Sequence, residues 1–168
     1  MSSTSDLLVD GFGRVHELVR VILNGLTEDD LAFRPGPRAN PIGWLVWHLV
    51  RVQDHQVAEA AGLQQRWTTE GWVERFALPF EPLATGYGQD PDETGSMRAK
   101  PGLLEGYSDA VHAATIGYVG QLVDADLDRE VDRRWDPPVT LGVRLMSILS
   151  DDLEHAGQAA YVKGLLGR

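Results

Sequence analysis

Histidine and carboxylate carry nearly all the chemistry this chain can offer, because its 168 residues include no cysteine. That removes disulfides, thiolate metal sites and cysteine nucleophiles together. His48 lies inside the apolar run Trp44-Leu-Val-Trp-His48-Leu-Val, where a buried imidazole has to find partners for both ring nitrogens. Asp151 and His155 are four residues apart, so on a helix they project side by side. They share a face with Ile148 and Val162, and an aspartate turned inward is costly unless it is paired or holds a cation. Taken singly, these are a core histidine bonded to a neighbouring helix and a common helical Asp–His pair. Taken together, His48, Asp151 and His155 supply two imidazoles and one carboxylate, the composition of a catalytic divalent-metal site that keeps an open position. Zinc is the expected ion, although iron and nickel accept the same donors. His55, two helical turns after His48 and flanked by Arg51 and Asp54, is the candidate catalytic acid/base group or the support of a ligand. His16 and His112 fall off the main apolar stripes and read as partly solvated. Asp152 and Glu154 fall on other faces than Asp151, where a solvated role suits them.

Several other chemistries are missing from the sequence. No HExxH occurs, nor a Glu-x-x-His pair of the di-iron bundles, nor a GxSxG nucleophile elbow. Gly11-Phe-Gly13 lies in or beside a helical stretch and is no nucleotide loop.

Four long helical stretches have to position the candidate residues. Leu8, Phe12, Val15, Val19 and Ile22 recur at three- and four-residue steps and predict a first helix over 4–24. Asn40-Pro41 is a start signal for a second helix, 42–61, apolar over much of its circumference and therefore central in the core. Leu104, Tyr107, Val111, Ala114, Tyr118 and Leu122 predict a third over 101–124. Thr140 can cap a fourth that carries Leu141, Leu145, Ile148, His155, Ala159 and Val162 and runs to about residue 166. Residues 27–40 read as a connection, 70–78 as a short helix, and 79–101, with Pro79, Pro82, Pro91, Gly86, Gly88 and Gly95, as a long loop of the kind that is functional in compact domains. Residues 129–135 look extended but have no visible partner strand. The expected fold is all-α: a four-helix bundle with a long loop between its second and third helices.

A chain of this length forms one domain, 1–168, with a core of its own. Its formal charge of −10 repels phosphate backbones and anionic lipid, so no nucleic-acid or membrane partner is expected. No apolar run approaches the roughly 20 residues of a membrane span, and the first six residues have no export-signal pattern. With cysteine absent as well, the expected location is the cytoplasm. The apolar excess on the second helix allows a homodimer.

The segments Asn40-Pro-Ile-Gly-Trp-Leu-Val-Trp-His48-Leu-Val-Arg-Val-Gln-Asp54-His55 and Asp151-Asp-Leu-Glu-His155-Ala-Gly-Gln158 resemble the DinB-like superfamily over nearly the whole chain. In particular they resemble its actinobacterial mycothiol S-transferase branch, related to mycothiol-dependent maleylpyruvate isomerase. The resemblance implies a four-helix bundle, up-up-down-down or similarly connected and often dimeric. It implies a metal held by His48 from the second helix and His155 from the fourth. Most members have a histidine where this chain has Asp151; the isomerase branch has a carboxylate there. The activity implied is conjugation of a low-molecular-weight thiol, mycothiol, to an electrophile, as in detoxification. A protein without cysteine must take that thiol from outside, and a metal with an open position favours the reactive thiolate. Alternatives are a metal-dependent isomerase or hydrolase of a small acid, and a non-enzymatic metal-binding bundle.

Overall fold

Local sequence signals set most helix ends in the computed structural model, which describes residues 3–167. Met1, Ser2 and Arg168, the ends of the expected 1–168 domain, lie outside the described residues, as do the first two positions of the N-terminal segment examined for an export signal. Helix α1 (Thr4–Leu23) begins at Ser3, whose hydroxyl accepts from the Asp6 N–H while the Asp6 carboxylate accepts from the Ser3 N–H, a capping box that satisfies two orphan donors. Thr27 and Asp30 repeat the device for α2 (Glu28–Ala32), a short helix inside the expected connection. Helix α3 (Ile42–Ala61) starts at Pro41 and stops at Gly62, which takes the left-handed conformation (φ 67°). Pro41 itself is the cap and the helix start has no side-chain cap, so Asn40 does not play the expected part. Residues 66–76 form two short helices, α4 (Arg66–Thr69) and α5 (Trp72–Phe76), in place of one over 70–78. The stretch 79–101 is an irregular segment interrupted by α6 (Pro91–Ser96). Helix α7 (Pro101–Val119) ends five residues before 124, with Gly120 as its C-cap, and a 3₁₀ turn (Asp124–Asp128) follows.

Residues 129–135 do find a partner. Strand β1 (Glu130–Asp132) pairs antiparallel with β2 (Val139–Thr140) across the turn that holds Pro137 and Pro138. Asp132, buried, accepts from the Arg134 and Arg144 guanidinium groups, and the Arg134 contacts hold its carboxyl far below the usual carboxylate range. Arg144 also donates to Gln56 of α3, so one guanidinium links the hairpin's Asp132 to α3. Thr140 caps α8 (Leu141–Leu165), accepting from the Val143 N–H.

The molecule is mostly helical. Helix α3 packs on α7 and α8, and α1 packs on the same two. Residues 41–54 are buried throughout, so the apolar excess of this part of α3 is packed inside the chain. One core cluster gathers Trp44, Trp47, Trp67, Trp72, Phe76 and Tyr107; another joins Leu8 and Phe12 to Leu141, Leu145 and Ile148. Among the described residues, no helix is long and apolar enough to cross a membrane.

Candidate metal centre

Helices α3 and α8 make the most extensive contact in the fold, and the three expected ligands meet across it. One donor atom from each of His48, Asp151 and His155 lies within 4.8 Å of the other two. His48 is 6 % exposed, packed between the Trp44 ring (centroids 4.6 Å apart, planes 9° apart) and the edge of His155 (4.7 Å, 80°). The opening is on the α8 side, where the Asp151 side chain is 38 % exposed.

The hydrogen bonds fix which ring nitrogens are available. His48 Nδ1 is 2.6 Å from the Thr85 carbonyl oxygen. A carbonyl only accepts, so Nδ1 carries the proton and Nε2 keeps its lone pair. His155 Nδ1 faces the Gln158 side-chain oxygen at 3.1 Å and is committed in the same way. Metal-ligating histidines usually donate the other ring N–H to such an acceptor, which sets the tautomer and the ring's direction. His155 Nε2 is 3.6 Å from Asp151 Oδ1, too far for a good hydrogen bond, and Asp151 Oδ2 is buried with no partner. An orphaned carboxylate oxygen beside two free imidazole nitrogens is a donor set that fits a divalent cation. Burial, the largest influence, pushes the His48 pKa down, helped by His155 and opposed by the Thr85 bond and Asp151. His48 is therefore neutral, the form that ligates.

The irregular segment after α5 builds the far wall, and sequence reasoning did not assign its parts. Trp44 Nε1 donates to the Gln89 side-chain oxygen at 2.7 Å. Gly86 (φ +95°) lies directly on the ligand: a Cβ there would stand 2.6 Å from His48 Nδ1 and 3.0 Å from Trp44. Its only sequence signal was the pair of glycines, Gly86 and Gly88, in a loop of suggestive length.

His55 is not brought to the three. Seven residues of helix separate it from His48 by about 10 Å along the axis. Its Nδ1 accepts from Gln65 Nε2 at 3.0 Å, and burial, then Arg51, lowers its pKa. His16 and His112 do meet, stacked at 4.1 Å with planes 3° apart between α1 and α7. Glu154 is exposed, as expected, but Asp152 is not solvated. It is fully buried, neither carboxylate oxygen has a partner, and burial with Asp151 nearby raises its pKa well above the usual range. It falls on the stripe of Ile148, Ala156 and Ala159, whose breadth covers positions on both sides of His155.

A family model for the DinB superfamily matches residues 12–159. The chain belongs to the DinB superfamily. A solved structure described as that of a conserved protein of a locus from Enterococcus faecalis resembles this DinB protein with a TM-score of 0.92 and 30 % identity, over 100 % of both chains. No curated protein matches the chain. The superfamily includes metal-dependent enzymes, and in this member the residues that fit a cation are His48, Asp151 and His155.

Proposed function

We propose that this DinB protein is a divalent-metal-dependent S-transferase that joins a low-molecular-weight thiol, mycothiol, to an electrophile in the cytoplasm. One observation carries the reading: two imidazoles, each with Nδ1 committed to an acceptor, meet a carboxylate with one unpartnered oxygen, and a donor atom of each of the three residues lies within 4.8 Å of the other two. A divalent cation bound there, with zinc the proposed ion, supplies a Lewis acid that stabilises a thiolate at an open position. The chain's own residues supply the rest. Two imidazoles and one carboxylate donate less charge than thiolate ligands would, which leaves the site electrophilic. Trp44 and Gly86 close the inner side against water, and the exposed Asp151 side leaves the approach for small molecules. His55 takes the thiol proton only at one remove, through solvent, given its distance along α3.

Metal analysis and a thiol panel test the reading. Protein purified without an affinity tag is expected to hold about one divalent ion per chain, and Asp151→Ala and His48→Ala to lose most of it. With a bimane-type electrophile, turnover should consume mycothiol in preference to bacillithiol or glutathione. Equal metal in wild type and Asp151→Ala removes Asp151 from the ligand set. Turnover of a small acid without thiol consumption assigns an isomerase or hydrolase instead.

A further inference from the structure

Arg51 is the least expected charge in the molecule: it lies in the middle of α3, 0 % exposed. Its nearest counter-charge is the buried Asp54, 3.8 Å away, but that carboxylate is already served by the backbone N–H groups of Arg66 and Trp67 and by the Tyr107 hydroxyl. A guanidinium buried this deeply needs a purpose for its fork of donors. Part of the fork is aimed at backbone, while Nη1 has no hydrogen-bond partner and the guanidinium lies over the Trp67 ring, 5.0 Å from its centroid. Nε donates to the Ala84 carbonyl at 3.2 Å, and one terminal nitrogen is 3.5 Å from the Leu83 carbonyl, a long contact.

Those two carbonyls immediately precede Thr85, whose carbonyl takes the His48 proton. Trp44, His48 and Arg51 follow one stripe of α3 at steps of four and three residues, and all three donate to the segment 83–89. We propose that Arg51 is a positioning residue for His48: by holding the backbone at 83–84 it keeps the Thr85 carbonyl on Nδ1, and so keeps the Nε2 lone pair turned toward Asp151 and His155. The segment has no regular structure of its own, and it passes so close to the ring that a Cβ on Gly86 would stand 2.6 Å from Nδ1. Without Arg51, the helix side chains that still hold this segment beside His48 reach it further off, Trp67 at Pro82 and Trp44 at Gln89, and its own turns, Ala84 N–H to Glu81 and Gln89 N–H to Gly86, do not tie it to α3.

The consequence for affinity rests on the metal reading above; the consequence for the tautomer does not. The experiment therefore has two arms on the full chain. In metal-free protein, ring ¹⁵N shifts of His48 report which nitrogen is protonated. In the second arm, Zn²⁺ affinity and the Co²⁺ absorption spectrum report ligand geometry. Arg51→Lys keeps the charge and loses the fork; Arg51→Gln with Asp54→Asn removes the pair and leaves no buried charge unmatched; Gly86→Ala displaces the segment with Arg51 intact. Wild type should be a single Nδ1–H tautomer. Each variant, folded by circular dichroism, should show mixed tautomers and bind Zn²⁺ about 10- to 100-fold more weakly, the usual effect of losing a ligand's outer partner. Variants that melt earlier but keep the wild-type tautomer and affinity overturn the inference and leave Arg51 a structural residue. If wild type binds no metal, the metal reading fails and the tautomer arm alone decides. If either Arg51 change prevents folding, the other Arg51 variant decides.

Discussion

Asp152 is the residue most out of keeping with its surroundings. A carboxyl group with no partner, sealed among apolar side chains, favours its protonated form. Its folded pKa is raised, so its contribution to stability is fully present below the unfolded value near 3.8 and is lost as pH rises through the folded value. Asp152→Asn removes the titration while keeping the shape. It should raise Tm at about pH 8, by the few degrees that about 1–2 kcal/mol gives a chain of this size, and change little near pH 4. Thermal melts at the two pH values check this. The residue also shows where sequence reading stops. His48, Asp151 and His155 were legible because ligand types recur at helical spacing on an inward face. Asp152 was not, because the inward face of α8 is broad enough to bury positions on both sides of His155, and a carboxylate beside Asp151 carries no sign of which neighbour is sealed in. Nor was the Thr85 carbonyl, since a backbone acceptor carries no residue signature and its position depends on a segment folding back over α3.

Among the elements, α1 and α7 meet over the stacked pair His16 and His112. His16 Nε2 donates to Asp109 at 2.7 Å, whereas His112 Nδ1 is buried without a partner. Burial, and then the His16 charge, lower the His112 pKa; Asp109 opposes them. A histidine whose folded pKa is depressed supports stability above its unfolded value near 6.5, and that support is lost as pH falls from there toward the folded value. His112→Gln should therefore lose less Tm than wild type between about pH 7.5 and 5.5, and a slope equal to wild type would remove this pair from the acid response. The four long helices were readable from stripes such as Leu8-Phe12-Val15-Val19-Ile22, since twenty residues repeat the helical period many times over. The hairpin was not: pairing three residues with two leaves no period to count, and Asp132 is held by one arginine two residues away and another twelve residues on. Pro91 and Gly95 likewise disguised the single helical turn and a half of α6.

For the whole molecule, the division of ligands matters as much as their identity. His48 belongs to α3 and its two partners to α8, with more than half of the chain between them in sequence. The unfolded chain cannot hold the three together, so an ion at this site would bind the folded state almost exclusively. At free Zn²⁺ about 100 times Kd the gain is about 2.7 kcal/mol, which should raise Tm by roughly 5–10 °C; calorimetry with and without the ion, on wild type and on His155→Ala, measures it, and an equal rise in both would place the ion elsewhere. The site lies on the seam between α3 and α8, the most extensive helix contact in the fold. An ion bridging that seam acts on the clock of the protein as well as on its balance: it lengthens the life of each folded molecule, delaying the moment at which a protease first finds a loose end.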